Sequence, residues 1–240
     1  MRYMMLIYSE EKKDIPYGTP EWDQLMVEYR AFGEEVRRRN AMVAGDPLQS
    51  IETATTLRQQ DGKTAMLDGP FAETREQLGG FYILDCKDKA EALELAAMIP
   101  SAKHGSIEVR QLFGHEQRFL DPAKQKRYIV LIYGDESKFL KQDDPLLQSR
   151  LGEHKQLTDD TIQSGEYVGG DALALTNTAV TVRVRDGQTI HTDGPFAETK
   201  EQLGGFYLFN TRDLDRAIEL AKRIPMGPIG CLEVRPIQEV

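Results

Sequence analysis

A stretch of fifteen residues occurs twice in this chain and constrains the fold more than any other feature. Residues 68–82 return as residues 193–207, and the single difference is that Lys200 replaces Arg75. The same offset of 125 residues carries residues 3–8 onto 128–133, 45–46 onto 170–171 and 107–110 onto 232–235. A constant offset without insertion or deletion predicts one fold used twice. Each copy is long enough to bury a core, so the period indicates a duplicated domain.

The duplication predicts two domains joined by a short connector. The repeat places the first copy at residues 1–113, a polar linker containing Pro122 at 114–126, and the second copy at 127–240. Both copies are close to the commonest domain size of about 100–150 residues.

Charge and cysteine usage restrict the partners and the compartment. A net charge of −9 and a pI near 5.1 argue against a direct nucleic-acid partner, because gripping phosphates requires clustered Lys and Arg. Cys86 and Cys231 do not occupy matching positions in the two copies, so we predict reduced thiols in a cytoplasmic protein. The apolar start of the chain is too short for a signal segment or a membrane span, which predicts a strand and no membrane partner.

Apolar spacing predicts the elements of each copy. The first copy begins with a buried strand over residues 2–8, and a helix over about 20–39 follows and ends at Asn40. A second strand, a hairpin around Asp61-Gly62 and a strand, helix, strand series complete the copy. The second copy repeats this order. We therefore expect an α+β fold of two tandem ferredoxin-like domains, with the helices on one sheet face.

The sheet face opposite the helices is predicted to be apolar and to need a cover. Two sheets in one chain can cover each other, which predicts an intramolecular pseudo-dimer of the dimeric α+β barrel type. The chain is expected to act as this fused pair or to form a higher homo-oligomer.

The repeated stretch combines a turn with a pattern typical of a helix start. In the Asp-Gly-Pro of residues 68–70, glycine tolerates positive φ and proline fixes φ, which indicates a tight turn. The Thr-x-x-Gln patterns at residues 74–77 and 199–202 match a capping box at the start of a short helical turn.

The repeated stretch Asp-Gly-Pro-Phe-Ala-Glu-Thr-Lys-Glu-Gln-Leu-Gly-Gly-Phe-Tyr resembles the DGPF subgroup of the YCII-related proteins. The resemblance covers nearly all of both copies and implies a ferredoxin-like fold that pairs as a dimer. Most of that family has no established reaction. Some members resemble muconolactone isomerases and carry a His-Asp pair in a cleft, used in at least one case for dehydrochlorination. Genes of the subgroup often lie beside extracytoplasmic-function sigma factors, which implies a functional link to such a factor and a regulatory setting.

The family's histidine is carried over onto one copy only. His154 occupies the first helix of the second copy, and the strand after it ends at Asp171. The first copy has Tyr29 and Asp46 at the matching positions. The resemblance implies His154 as a general base oriented by Asp171 or by Asp193 of the repeated stretch. The alternative is that His154 packs on the apolar helix face, as Tyr29 does in the other copy.

Other residues of the repeated stretch are candidates for binding a ligand, each with a structural alternative. Arg75 and Lys200 can clamp an acidic ligand or lie on a solvated helix start. Phe71 and Phe196 can line an aromatic pocket or fill the core. An aspartate before Gly-Pro, as at Asp68, can hold a ligand hydroxyl or accept amides of its own turn. The predicted ligand-binding set is Tyr29, Asp46, Asp68, Phe71, Arg75, Phe196 and Lys200.

Two function hypotheses remain open at the level of the sequence. The chain has no metal-spaced Cys or His cluster, no phosphate loop and no nucleophile elbow, so no metal and no cofactor are predicted. The first hypothesis is a small-molecule-binding or regulatory module with an apolar cleft near the repeated turns, which binds a small organic acid. The alternative is a cofactor-free lyase or isomerase, similar to dehydrochlorinases or muconolactone isomerases, that uses the His-Asp pair.

Overall fold

The structure is a computed structural model that describes residues 1–60, 63–72, 74–114, 126–141, 143–197, 199–226 and 230–239. The predicted turn at Asp61-Gly62 and residues 115–125 of the predicted linker lie outside the described residues. The helices are α1 (Pro20–Arg38), α2 (Lys89–Met98), α3 (Pro145–Gln163) and α4 (Leu214–Ala221). The strands of the first copy are β1 (Arg2–Ser9), β2 (Met42–Pro47), β3 (Thr55–Gln60), β4 (Lys63–Asp68), β5 (Gln77–Asp85) and β6 (Ser106–Gln111). Those of the second copy are β7 (Lys126–Gly134), β8 (Tyr167–Ala172), β9 (Val180–Arg185), β10 (Gln188–Asp193), β11 (Gln202–Thr211) and β12 (Gly230–Pro236).

Two six-stranded antiparallel sheets organise the described residues. One has the strand order β10-β9-β6-β1-β5-β2 and the other has the order β4-β3-β12-β7-β11-β8. Within each sheet, four strands of one copy, β6-β1-β5-β2 or β12-β7-β11-β8, follow the 4-1-3-2 order of a ferredoxin-like fold. The predicted α+β, ferredoxin-like class is therefore confirmed.

Each sheet takes its remaining two strands from the other copy. The β9–β10 hairpin of the second copy pairs with β6, and the β3–β4 hairpin of the first copy pairs with β12. Accordingly, unit 1 consists of Met1–Leu48, Thr74–Gly114 and Leu173–Glu198, and unit 2 consists of Gln49–Glu73, His115–Ala172 and Thr199–Val240. The two compact units therefore differ from the two sequence copies, because each unit contains a hairpin from the other copy.

The first long helix begins and ends where the sequence predicts. The Thr19 hydroxyl accepts a hydrogen bond from the Trp22 amide at 3.2 Å, and Pro20 is the first residue of α1. The helix buries Phe32 and Val36 against the sheet of unit 1. Asn40, with φ of 55°, ends it in the left-handed region as the sequence predicts. None of the helices over the described ranges has the length and apolarity needed to cross a membrane.

Three of the predicted turns are confirmed by their backbone angles. Asp186 and Gly187 have φ of 52° and 74° and connect β9 to β10, as expected for a tight hairpin. Gly69 and Gly194 in the two Asp-Gly-Pro turns have φ of 98° and 100°, a region that favours glycine.

The predicted capping boxes are wrong. In the second copy the Thr199 hydroxyl donates to the Glu201 carbonyl at 2.6 Å, and the Gln202 side-chain amide donates to the Thr199 carbonyl at 2.7 Å. Both side chains thus satisfy carbonyl groups rather than the free amides of a helix start. The reason is that β11 begins at Gln202, which leaves no room for a helical turn. The first copy has the same bonds around Thr74.

The repeated Gly-Asp pairs are explained by a tyrosine ring on the neighbouring strand. A Cβ atom on Gly45 would lie 2.3 Å from Cδ1 of Tyr82, and one on Gly170 would lie 3.0 Å from Cδ1 of Tyr207. The first distance is shorter than any real Cβ contact, and a Cβ atom on Gly170 would also lie 2.8 Å from the Phe206 carbonyl oxygen, so neither position has room for a side chain.

Candidate functional site

Unit 1 contains a cavity of about 610 Å³ beside the repeated stretch. Such a volume is typical of pockets that hold a small molecule. The lining comprises Ser9 at the end of β1, Glu10, Lys13 and Asp14 after it, Thr74, Arg75 and Glu76 before β5, His104 before β6, and Phe196 and Ala197 after β10. The sequence predicts an apolar cleft near these turns. Eight of the ten lining residues are polar or charged, but apolar atoms form most of the surface that they expose to the cavity.

One carboxylate holds both cationic side chains of the cavity. Glu10 accepts from Lys13 Nζ at 2.7 Å and also from the guanidinium of Arg75. The bond to Lys13, and then the bond to Arg75, lowers the pKa of Glu10, which is therefore charged at neutral pH. Arg75 is 80% exposed, whereas Glu10 is 18% exposed. The arginine is thus free to leave Glu10 for a ligand without losing packing.

A second carboxylate in the cavity is protonated more readily than an exposed one. Partial burial raises the pKa of Asp14, and its hydrogen bond with Ser9 only partly opposes this effect. A carboxyl group with a raised pKa is more often in the neutral form that donates a hydrogen bond.

An aromatic pair forms one wall of the cavity. The ring of Phe196 stacks on Tyr8 of β1, with centroids 4.2 Å apart and planes inclined by 14°. The Phe196 amide donates to Oε2 of Glu108 at 2.9 Å. Because both its ring and its backbone are held, Phe196 is a fixed apolar surface against which a ligand can pack.

The corresponding region of unit 2 is different. The counterpart of Asp14 is Phe139, and a Cβ atom on Gly134 or Gly204 would lie 2.9 or 3.5 Å from its ring. Gly134 is the counterpart of Ser9. An aromatic ring therefore lies in unit 2 where unit 1 has a carboxyl and a hydroxyl group, so the two copies present different chemistry.

The predicted general base, His154, lies on α3 in unit 2 and is half-buried. Its Nδ1 is 2.9 Å from the Tyr207 hydroxyl, and the two rings are stacked with centroids 6.0 Å apart. Burial is the main reason that the pKa of His154 is lowered, which keeps the imidazole neutral at pH 7.

The structure does not bring the predicted carboxylates to His154. Asp171 is opposite Phe206 in the β8–β11 register, while the neighbouring Gly170 is opposite Tyr207. Successive residues of a strand point to opposite faces, and Tyr207 belongs to the core on the helix side. Asp171 therefore projects from the face away from α3, where its carboxylate accepts the Ala172 amide at 2.8 Å. Asp193 is exposed at the end of β10 in unit 1.

The other predicted residues have mainly structural surroundings. The Tyr29 hydroxyl is 2.6 Å from Oγ of Ser101, and Asp46 is opposite Phe81 in the β2–β5 register. The ring of Phe71 stacks on Tyr133 at 3.8 Å in unit 2, and its amide donates to Glu233. Asp68 at the end of β4 and Lys200 before β11 are exposed. Of the predicted ligand-binding set, the cavity brings together Arg75 and Phe196.

Sequence reasoning missed the end of β1 and the loop after it, which together supply four of the lining residues. A signal was present: an acid three positions before a lysine recurs at Glu10 and Lys13 and at Asp135 and Lys138. In both places the lysine and the acid form a salt bridge, with N–O distances of 2.7 Å for Lys13 and Glu10 and 3.6 Å for Lys138 and Asp135. Across the described residues, no group of three or more His, Cys, Asp or Glu side chains is placed to hold a metal ion.

Three comparisons with known proteins bear on this chain. The family described as the YCII-related domain matches residues 1–116 and again residues 127–240. An uncharacterised protein of Rhizobium meliloti (strain 1021) is 36% identical over 114 residues, which are 47% of this chain and 92% of that protein. The crystal structure of a protein provisionally assigned as a chlorite dismutase covers 99% of this chain and 94% of its own, with a TM-score of 0.47 and 8% sequence identity.

Proposed function

The chain belongs to the YCII-related domain family, and we propose that it is a small-molecule-binding module whose site is the cavity of unit 1. The observation that carries the proposal is the cavity of about 610 Å³ bounded by the repeated stretch. Its charged groups converge with a fixed aromatic surface, which is the arrangement expected of a site for a small polar ligand.

The ligand class that fits these groups is a small organic acid with a further polar group. A ligand carboxylate can replace Glu10 on the exposed Arg75, whose guanidinium binds carboxylates through two parallel hydrogen bonds. Lys13 adds a second positive charge, and the carboxyl group of Asp14 can hydrogen-bond to a hydroxyl group of the ligand. The body of the ligand would pack on Phe196. Hydroxy acids and small aromatic acids combine these features.

Acid–base catalysis by His154 is the second proposal. The supporting observation is that the imidazole is half-buried and neutral at pH 7, the form that accepts a proton. Its partner is the Tyr207 hydroxyl rather than a carboxylate, so a lyase or isomerase would have to use the pair His154 and Tyr207. We rank binding first because the described cavity lies in unit 1 and His154 lies in unit 2. The functional link to a sigma factor stays a prediction.

The binding proposal is tested by a thermal-shift screen of aromatic, dicarboxylic and hydroxy acids, followed by calorimetry on the hits. A ligand that binds only the folded state raises the melting temperature. Arg75→Ala should weaken binding about ten- to a hundred-fold, because it removes a charge-assisted pair. Lys200→Ala is the matched control, since it changes the counterpart position outside the cavity and should leave the affinity unchanged.

A second variant fills the cavity with an aromatic ring instead of removing the positive charge of Arg75. Ser9→Gly combined with Asp14→Phe copies the residues that the second copy has at these positions, and it should abolish binding while the protein stays folded. No hit in the screen, or a hit whose affinity is the same in Arg75→Ala and in the filled variant, would refute the proposed site. Turnover of a hit that His154→Gln abolishes would favour the second proposal.

A further inference from the structure

Each sheet is completed by a hairpin from the other half of the chain. In unit 1, Val182 of β9 is opposite Ile107 of β6, and both side chains are fully buried. In unit 2, Leu57 of β3 is opposite Leu232 of β12, with exposures of 1% and 2%. These contacts belong to the core of each unit, so each hairpin is part of the hydrophobic core that it joins.

A buried ion pair holds both ends of the hairpin in unit 1. Glu108 and Arg110 of β6 form a 3.0 Å pair, and their side chains are 5% and 0% exposed. Glu108 accepts the amide of Phe196, which follows the hairpin, at 2.9 Å. Arg110 donates through Nε to the carbonyl of Ala174, which precedes the hairpin, at 2.9 Å. One charged pair thus binds the chain on both sides of β9 and β10.

The same arrangement recurs in unit 2 with the roles of the halves exchanged. Glu233 and Arg235 of β12 form a buried pair at 3.4 Å. Glu233 accepts the Phe71 amide at 3.1 Å after the hairpin, and Arg235 donates to the Gln49 carbonyl before it. The residues are the counterparts of those in unit 1 at the same offset, so the contact is a repeated property of the fold.

We infer that the two sequence halves are obligate partners. The Glu-x-Arg pair of β6 or β12, together with the phenylalanine of the repeated stretch, forms a latch that fixes the exchanged hairpin. This latch is Glu108, Arg110 and Phe196 in unit 1, and Glu233, Arg235 and Phe71 in unit 2. Without the other half, β6 or β12 would present an unpaired edge, and a buried ion pair would lose its backbone partners. The phenylalanine is repeated because its amide closes the latch and its ring stacks on a tyrosine, which is Tyr8 of β1 in unit 1 and Tyr133 of β7 in unit 2.

The inference also bears on the proposed ligand site, and this part rests on the proposed function. Phe196 and Ala197 come from the second half, whereas the other eight lining residues come from the first. The cavity is therefore incomplete without the second half.

The association is tested on the full chain with a specific protease site inserted between Gly114 and Lys126. After cleavage under native conditions, we expect both fragments to elute together from a size-exclusion column at the volume of the uncut chain and to separate only in denaturant. Two folded fragments that elute separately would overturn the inference. This readout needs no ligand, so its failure is distinguishable from failure of the proposed function.

Hydrogen exchange distinguishes the exchanged hairpin from one that packs on its own half. Replacing Val180–Arg185, the turn and Gln188–Asp193 by a short Gly-Ser link should expose the amides of β6 to exchange and leave those of β12 protected. The matched deletion of β3, its turn and β4 should do the reverse. If deleting β9 and β10 exposed β12 instead, and deleting β3 and β4 exposed β6, each hairpin would pack on its own half and the inference would be refuted.

A point variant covers the case in which the deletions do not fold. Glu108→Gln should speed exchange in β9 about a hundred-fold more than in β3, because it opens the latch of unit 1. An equal or larger increase in β3 would contradict the latch.

Discussion

Neutralising Glu108 tests the energetic role of the buried pair directly. Glu108→Gln keeps the shape of the side chain and an acceptor for the Phe196 amide, but it removes the carboxylate charge that pairs with the buried guanidinium of Arg110. Breaking a buried ion pair in this way costs about 3–5 kcal/mol, because the remaining charge has lost its solvation and its partner. An exposed pair contributes only about 0.2–1 kcal/mol.

The expected loss is therefore several times larger than that of a surface control. Asp159→Asn, which breaks an exposed pair with Lys155 on α3, is that control. The free energy of unfolding is measured by equilibrium urea denaturation and followed by the fluorescence of Trp22, the single tryptophan, which lies in α1 of unit 1. Circular dichroism follows the helices of both units in the same samples.

A paired replacement shows whether the loss comes from breaking the ion pair. Glu108→Gln combined with Arg110→Met removes both charges, keeps an acceptor for the Phe196 amide and leaves the Ala174 carbonyl without its donor, a cost of about 1–3 kcal/mol. We expect this double variant to be more stable than Glu108→Gln. A Glu108→Gln loss no larger than that of Asp159→Asn, or a double variant less stable than the single one, would refute the reasoning.

Three further predictions concern single sites. Gly45→Ala should lower the free energy of unfolding, measured by urea titration, by about 1–3 kcal/mol, because the added Cβ would lie 2.3 Å from a ring carbon of Tyr82. The control Gly79→Ala should change it by less than about 0.5 kcal/mol, since the nearest neighbour of that Cβ would be 3.8 Å away. The folded pKa of His154 is below the ordinary value of 6.5, so the stability that the neutral imidazole contributes is full above about pH 6.5 and is lost as the pH falls towards the folded pKa. Urea midpoints measured from pH 7 to 5 should therefore fall less in His154→Gln than in the unchanged protein, and equal slopes would contradict this. Burial raises the pKa of Cys86 and of Cys231 to about 12, so a thiol reagent at pH 8 should label both only after denaturation, and rapid labelling of the native protein would disprove their burial.

Local signals in the sequence were sufficient to predict the helices, strands and turns, but not to predict which strand each hairpin pairs with. Pro20 and Asn40 bound α1 as predicted, and Asp186-Gly187 forms the predicted turn. The choice between β6 and β12 is not encoded locally, because residues 107–110 and 232–235 are almost the same sequence and offer the same edge. Only the tertiary arrangement decides that a hairpin joins the sheet of the other copy.

The candidate site was predictable only where the repeated stretch contributes to it. Arg75 and Phe196 belong to that stretch, whereas Glu10 lies in an irregular loop with no periodic pattern to reveal its position. The pairing of His154 with Asp171 failed for a different reason. Which face of a strand a side chain occupies depends on register, and the β8–β11 ladder contains a shift between Leu208 and Phe209 that no sequence pattern indicates.

The crossed hairpins also determine when the protein can fold during synthesis. Domains made from one continuous segment can fold as soon as they leave the ribosome, N-terminal domain first. Here the first sheet lacks two strands until β10 has been translated, and β3 has no partner sheet until β12 appears near the end of the chain. The nascent chain therefore carries an incomplete first sheet until β10 has been made, and an unpaired β3–β4 hairpin until β12 has been made.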